Sequence, residues 1–216
     1  MHSLYSQITV DKAPRDWRLQ LKDWLPKLAI GIWGGMVVVV GAFLMADHWV
    51  TLPLPSGDDQ ALARAIDDSR NLDEQGQWLA VHILYSKCTC SKRIVEHLFS
   101  KARTGGIKEK LLIVDGDRPE WLASAKAKGF SYEVISPKTL HEFYNVSAAP
   151  MMVVADPLGK VRYAGGYTAR KQGPDIKDVE IIQQLMTEHP VKPIPLFGCA
   201  VAKGLQVLAD PFGLKY

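Results

Sequence analysis

An uncharged apolar stretch near the N-terminus, residues 28–46, constrains the architecture of this chain more than any other feature. Its sequence, LAIGIWGGMVVVVGAFLMA, contains 19 consecutive residues without a charged side chain. At about 1.5 Å per residue, a helix of this length crosses a hydrocarbon layer of about 30 Å. Three tryptophans lie near its ends or in its first turn, as membrane interfaces favour: Trp24, Trp33 and Trp49. The stretch predicts a transmembrane helix, and the alternative is a buried helix of a soluble protein.

Charged residues on either side of this stretch predict its orientation. The basic residues before it are Lys12, Arg15, Arg18, Lys22 and Lys27, and the acidic residues after it are Asp47, Asp58 and Asp59. Since basic residues stay on the cytoplasmic side, residues 1–27 are expected in the cytoplasm and the rest of the chain outside it. A cleaved signal peptide is the alternative, but a polar leader of about 26 residues is long for one, and no small-x-small cleavage site follows Ala46. An uncleaved anchor is therefore predicted.

The composition predicts a packed domain without a nucleic-acid partner. Hydrophobic residues make up 47% of the 216 residues, with 6 Trp, 7 Tyr and 6 Phe, so a packed interior is available. The net charge is only +3, both signs are interspersed, and no basic run is interleaved with aromatic residues. Nothing in the sequence therefore indicates nucleic-acid binding.

Downstream of the anchor, the sequence divides into a spacer, a domain and an appendage. Residues 47–74 are expected to form a Pro-rich spacer and a helix near 58–70, which a capping box of Ser56 and Asp59 would open. The domain is predicted over residues 75–190, before the Pro-rich segment PVKPIP.

Short apolar runs alternate with helical patterns in this domain. The predicted strands are 78–86, 110–115, 132–135, 151–155 and 161–163. One predicted helix begins near Cys90, and three others cover 120–128, 139–144 and 178–186. The last two strands are expected to form a hairpin around Asp156-Pro157-Leu158-Gly159. Alternating strands and helices imply an α/β domain with a largely parallel sheet.

Three cysteines carry the candidate chemistry: Cys88, Cys90 and Cys199. Three cysteines form at most one intramolecular disulfide, so a structural disulfide framework is not expected. Cys88 lies where the first strand gives way to a helix, and free N–H groups at a helix N-terminus stabilise a thiolate and lower the pKa of its thiol. Three basic neighbours act in the same direction: Lys87, Lys92 and Arg93. A reactive thiol is predicted, and the alternative is a small buried residue.

The order of these elements resembles the thioredoxin superfamily. The resemblance is carried by the strand VHILY, Cys88 shortly after it, the strand ending in Asp115, the sequence VSAAP ending in Pro150, and MMVVADPLGKVRYAGGY. An extra helix and strand between Arg118 and Ser136 are similar to those of the TlpA-like branch, whose membrane-tethered members reduce extracytoplasmic disulfides. The resemblance covers about residues 75–190.

This resemblance implies a thioredoxin-like fold, a mixed central sheet flanked by helices, following one N-terminal transmembrane helix. It also implies a cis bond at Ala149-Pro150 that faces Cys88, and the weak trans preference of X-Pro bonds makes such a bond accessible. The expected function is thiol-disulfide exchange on exported or membrane proteins, from the bacterial inner membrane with the domain in the periplasm. No cofactor is expected, and the expected partners are the membrane and either a protein thiol or disulfide substrate or a membrane-complex partner.

The cysteine motif departs from the family pattern. Ser91 occupies the position of the second cysteine of Cys-x-x-Cys, Cys90 comes one residue early, and Lys87 replaces the usual Trp. Three hypotheses remain open. Cys88 attacks a substrate disulfide and Cys90 or Cys199 resolves the mixed disulfide. Alternatively, Cys88 and Cys90 bind Cu(I) for delivery, or the domain is a non-catalytic assembly module.

The appendage, residues 191–216, contains Cys199, and two placements of this residue are open. Phe197-Gly198-Cys199-Ala200 is expected to open a short helix that ends before Asp210-Pro211. Either this segment folds back and brings Cys199 to the active site, or Cys199 is a packed small residue. Of the histidines, His82 is predicted to be a core residue and His97 a surface residue.

Overall fold

The structure is a computed structural model that describes residues 17–49, 51–55, 60–116 and 118–210. The chain divides into two compact units, Met1–Trp49 and Val50–Tyr216. The predicted capping box of Ser56 and Asp59 lies outside the described residues.

A long helix, α1, occupies Trp17–Trp49 of the first unit. Its stretch Trp24–Ala42 has 19 residues with a mean hydropathy of 1.7, and none of them is buried. By length and composition alone this helix could cross a membrane. It extends beyond the predicted span of residues 28–46 at both ends and contains Pro26.

The second unit contains helices and strands in alternation. In chain order they are α2 Gln60–Asp68, β1 Trp78–Tyr85, α3 Thr89–Ser100, β2 Ile107–Val114, α4 Pro119–Ala127, β3 Ser131–Ile135, α5 Pro137–Glu142, β4 Ala148–Ala149, β5 Met151–Ala155, β6 Val161–Gly165, α6 Asp178–Met186, β7 Cys199–Ala200 and α7 Lys203–Ala209. A short 3-10 helix, Leu72–Glu74, precedes β1.

Five of these strands form the central sheet, in the order β3-β2-β1-β5-β6. The pairs β1–β2 and β2–β3 are parallel, whereas β5 is antiparallel to both β1 and β6. The predicted fold class, an α/β thioredoxin-like fold with a mixed central sheet flanked by helices, is therefore confirmed. The predicted hairpin is present as β5 and β6, and the carboxylate of Asp156 accepts the backbone N–H groups of Leu158 and Lys160 in its turn.

Helices cover both faces of the sheet. Successive side chains of β1 point to opposite sides, so they pack against helices on both faces. Leu79, Val81 and Ile83 belong to one core cluster, which also contains the buried side chains of α2. Ala80 and Leu84 belong to the other cluster, with the buried apolar side chains of α3 and α6. A continuous apolar run in the sequence is therefore buried on both faces.

The appendage departs from its predicted structure. Cys199 lies in the short strand β7 instead of opening a helix, and α7 begins only at Lys203. The reason is that backbone groups here pair with a distant segment: the N–H groups of Val201 and Ala202 donate to the carbonyl of Ser147 at 2.7 and 3.1 Å. Leu196, just upstream, is fully buried in the first core cluster.

Candidate functional site

Cys88 lies at the junction between β1 and α3. It is the N-cap residue of the 12-residue helix α3, and its carbonyl accepts the backbone N–H of Lys92 at 3.0 Å. Its side chain is 1% exposed. Its side chain makes no capping hydrogen bond, but its place at a helix N-terminus is one that stabilises a thiolate.

Cys199 forms a disulfide with Cys88 across a sequence separation of 111 residues, with the Cα atoms 6.0 Å apart. The strand β7 that carries Cys199 pairs antiparallel with β4, with Cys199 opposite Ala149. The Cys88 sulfur lies 3.9 Å from the carbonyl oxygen of Ala149, and the Ala149–Pro150 bond is cis. Of the two alternatives for Cys199, the structure has the one in which the appendage folds back to Cys88.

Cys90 is not part of this disulfide. Its thiol is free and half-buried, in the first turn of α3. It lines a cavity of about 380 Å³ together with Pro150, Tyr167 and Phe197. The structure thus joins Cys88 to Cys199 beside Ala149, the residue before Pro150, and leaves Cys90 as a separate thiol in the neighbouring cavity.

Ser91 has a structural contact at the position where a second cysteine was expected. Its side chain is fully buried, and its hydroxyl accepts the backbone N–H of Tyr85 at 3.0 Å. This bond links the end of β1 to the first turn of α3. Ser91 therefore helps to fix the junction that positions Cys88.

The basic residues expected to support a Cys88 thiolate have partners of their own. The Lys87 ammonium lies 2.6 Å from a carboxylate oxygen of Asp115. The Arg93 guanidinium donates to the carbonyl of Gly173 at 2.5 Å. Cys88 also lies at the N-terminus of α3, a position that stabilises negative charge on its sulfur.

A buried polar network links the sheet to helices α3 and α6. His82, which is fully buried in β1, contacts Tyr167 through Nδ1 and Glu109 through Nε2, each at 2.9 Å. Arg103 donates three hydrogen bonds to Glu109, two from Nε and one from Nη2, and its Nη1 lies 2.7 Å from the Oδ2 of Asp178. The prediction of His82 as a core residue is consistent with this placement.

His97 closes the network and corrects a prediction. It was expected at the surface, but its side chain is only 16% exposed, and its Nε2 lies 2.9 Å from the Oδ1 of the fully buried Asp178. The physical reason is that Asp178 opens α6 beside α3, so a buried carboxylate needs partners from the neighbouring helix.

Electrostatics within the network fix its protonation. Burial raises the pKa of Glu109, but hydrogen bonds from His82 and Arg103 outweigh it and lower that pKa to about 2. Glu109 is therefore a carboxylate that accepts the Nε2–H of His82. Burial raises the pKa of Tyr167 well above its usual value, so its phenol stays protonated and can donate to His82 or to the carbonyl of Met151.

Sequence reasoning did not identify four members of this network: Arg103, Glu109, Tyr167 and Asp178. The signal that could have indicated them is Glu109, a charged residue adjoining the apolar run KLLIV, since a carboxylate in a buried strand needs a cation. As for metal ligands, no group of three or more His, Cys, Asp or Glu side chains suited to a metal ion occurs among the described residues.

No protein-family model and no curated protein sequence matches the chain. A hypothetical protein from Sinorhizobium meliloti is similar in structure, with 18% identity, a TM-score of 0.47 and coverage of 71% of this chain and 91% of that chain. A secreted disulfide oxidoreductase of Mycobacterium tuberculosis has 14% identity and a TM-score of 0.34, over 41% and 69% of the two chains. StoA from Bacillus subtilis has 17% identity and a TM-score of 0.36, over 52% and 84%. Thiol-disulfide oxidoreductases are thus among the chain's structural neighbours, and similarity at this level concerns the fold alone.

Proposed function

We propose that this protein catalyses thiol-disulfide exchange, with Cys88 as the exchanging sulfur and Cys199 as its intramolecular partner. The observation that carries this function is the Cys88–Cys199 disulfide itself, formed between the N-cap of a helix and a strand laid beside Ala149 and Pro150. A helix N-terminus favours the thiolate that attacks and leaves in exchange reactions.

The reaction requires two successive exchanges. In the reduced chain the Cys88 thiolate attacks one sulfur of a substrate disulfide, which forms a mixed disulfide and releases the other substrate sulfur as a thiolate. The Cys199 thiolate then attacks the Cys88 sulfur, which closes the Cys88–Cys199 bond and releases the second substrate thiolate. Two electrons pass to the substrate, and a thiol-bearing reductant must return them to the chain.

Variants of the full-length chain in detergent test this function. We expect Cys88→Ser to lower the reduction rate of a disulfide-bonded peptide at least about 100-fold, because no attacking thiolate remains at the helix N-terminus. Cys199→Ser should instead accumulate a mixed disulfide with the peptide, visible by mass spectrometry. The readouts are the peptide thiols released and the trapped adduct.

Two results would contradict this function. Wild-type rates for Cys88→Ser would remove Cys88 as the exchanging sulfur, and trapping by Cys90→Ser instead of Cys199→Ser would make Cys90 the resolving thiol. Stoichiometric Cu(I) uptake that both Cys88→Ser and Cys90→Ser eliminate, without exchange activity, would support the metal-delivery hypothesis.

The protein acts at the bacterial inner membrane, with α1 as its anchor and the second unit in the periplasm. The length and composition of Trp24–Ala42 support an anchor, and the basic residues that precede it support a cytoplasmic N-terminus. A disulfide also persists more readily outside the reducing cytosol. Its substrates are accordingly exported or membrane proteins.

Reporter fusions after Tyr216 test this topology. We expect alkaline phosphatase, which is active only after export, to be active in this fusion, because the basic residues hold the N-terminus in the cytoplasm. A fusion to a reporter that is active only in the cytoplasm serves as the matched control. Activity of the cytoplasmic reporter would reverse the orientation.

A further inference from the structure

The strand that carries Cys199 lies in a groove beside Cys88. β4 and β7 form a two-stranded antiparallel ribbon separate from the five-stranded sheet, with Ala148 opposite Ala200 and Ala149 opposite Cys199. Ala148 and Ala149 are fully buried. In the part of the chain that the structure describes, β7 is the strand paired with β4, so the appendage covers this edge.

The residue before Cys199 makes the closest approach in this ribbon. A Cβ atom at Gly198 would lie 2.0 Å from the carbonyl oxygen of Ala149 and 2.7 Å from the Cδ of Pro150. Both neighbours belong to backbone or to a proline ring, which cannot rotate away as a flexible side chain can. A strand seated in this register therefore needs glycine immediately before its cysteine.

Non-covalent contacts hold the chain on both sides of Cys199. Upstream, Leu196 is fully buried, and its carbonyl accepts the backbone N–H of Leu52 at 2.9 Å. Downstream, Ala200, Val201 and Ala202 are buried, and the backbone N–H groups of Val201 and Ala202 donate to the carbonyl of Ser147, whereas none of the residues of α7 is buried. Once the disulfide is opened, non-covalent contacts alone hold β7, and release of this strand is a local opening.

We propose that residues 197–202 are a built-in occupant of a strand-binding groove along β4. When Cys88–Cys199 is reduced, this strand leaves, and the groove binds an extended segment of a partner protein in which glycine directly precedes a disulfide-bonded cysteine. The inference rests on the proposed function, since it names the substrate class of the same site. Residues 197–202 show how such a segment would bind: β7 pairs with the backbone of β4, and Gly198 fits where a Cβ atom would clash.

The bonds formed and broken balance in this cycle. An external dithiol reduces Cys88–Cys199 to two thiols and is itself oxidised to a disulfide. The Cys88 thiolate then attacks the partner cysteine in the groove and releases that cysteine's former partner as a thiolate. Finally Cys199 attacks Cys88, releases the partner cysteine as a thiolate and returns β7 to the groove. The substrate strand and the resolving strand therefore compete for one site.

Peptide capture by full-length Cys199→Ser tests the glycine requirement. The probes are three peptides that differ only in the residue before the cysteine, Gly, Ala or Val, each activated as a mixed disulfide with thionitrobenzoate. We expect reduced Cys199→Ser to capture the Gly-Cys peptide at least about tenfold faster than the Val-Cys peptide, as release of the yellow thiolate reports. The Cys88→Ser variant gives the background from Cys90, and the urea-unfolded chain should show no preference.

The outcomes of this experiment separate the two proposals. Equal capture of all three peptides, at rates well above the Cys88→Ser background, would overturn the groove and leave the exchange function intact. Capture no faster than in Cys88→Ser would overturn the exchange function and the groove with it.

A matched pair of glycine variants tests the seated strand without a peptide. Gly198→Val should shift the Cys88–Cys199 equilibrium in a glutathione buffer toward the thiols by at least about tenfold, because β7 no longer fits against Ala149. Gly204→Val is the control, since a Cβ there meets nothing within 4 Å, and its equilibrium should change less than about twofold.

Hydrogen exchange in the wild-type chain keeps the inference testable if Gly198→Val does not fold. Reduction lowers the protection of β1 amides only through the loss of global stability, and it should leave the Val201 and Ala202 amides at least about tenfold less protected than those of β1. Unchanged protection at these two amides would mean that reduction does not release the strand, which would overturn the inference.

Discussion

The β4–β7 ribbon and the buried polar network are organised in opposite ways, although both adjoin the cavity lined by Pro150 and Tyr167. In the ribbon, one covalent bond, a few backbone hydrogen bonds and small buried side chains hold an extended segment beside Cys88. In the network, Arg103 is held by two buried carboxylates, Glu109 and Asp178. Thiols can thus break the bond that closes the β4–β7 ribbon, whereas they do not affect the charges that hold the buried polar network.

The two regions also stabilise the fold by different routes. The disulfide closes a loop across 111 residues, so it acts chiefly on the entropy of the unfolded chain, by about 5 kcal/mol in the loop-closure estimate. The network acts in the folded state, because each buried charge there relies on its partners. Reduction should therefore lower global stability without removing contacts of the five-stranded sheet, whereas loss of a network charge should lower it by removing contacts of the folded state.

Removal of the central cation should have the largest effect on stability. Arg103→Met leaves the Glu109 and Asp178 carboxylates buried without their guanidinium partner, and we expect the free energy of unfolding to fall by about 3–5 kcal/mol. Urea unfolding of the oxidised full-length chain measures this loss. Because the ribbon and the network share no bond, the loss should be the same in Cys199→Ser.

Lys92→Met is the matched control for this substitution. Lys92 forms an exposed pair with Glu96 at 4.0 Å on α3, so its removal should change the free energy of unfolding by less than about 0.5 kcal/mol. Equal effects of the two substitutions would show that the network is worth no more than a surface ion pair. A loss confined to the oxidised chain would show that the network and the ribbon are coupled.

The sequence predicted those parts of the molecule that depend on local pattern. The unbroken apolar run before Cys88 predicted β1, and the apolar spacing after it predicted α3, so the position of Cys88 between them followed. The hairpin of β5 and β6 followed from its turn residues. Each of these signals lies within about ten residues of the element that it predicts.

The parts that failed depend on pairing between distant residues. Cys199 was assigned to a helix start, but β7 exists only because β4 lies beside it. The network was missed because Glu109, Tyr167 and Asp178 come from separate elements and carry no common spacing. Ser91 was read as an empty resolving position, yet its hydroxyl accepts a backbone N–H at the end of β1. Long-range contacts leave no periodic trace in a single sequence.

Acidification should have a smaller effect than the loss of Arg103. The pKa of Glu109 is about 2 in the folded chain against a usual 4.5, because the hydrogen bonds from His82 and Arg103 outweigh its burial. Since the folded-state pKa is the lower one, its contribution to stability is complete above about pH 4.5 and is lost as the pH falls toward 2. The difference corresponds to about 3 kcal/mol of unfolding free energy, which urea titrations between about pH 5 and pH 2.5 measure in part.

Two comparisons assign this loss to the network. In Glu109→Gln the slope of stability against pH should decrease, and the slope that remains should include Glu74, whose pKa is also lowered because hydrogen bonds from Ser131, the Asn71 backbone and Lys110 outweigh its burial. The reduced and oxidised chains should show the same slope, because the ribbon and the network share no bond. An acid loss present only in the oxidised chain would mean that the ribbon and the network do not act independently.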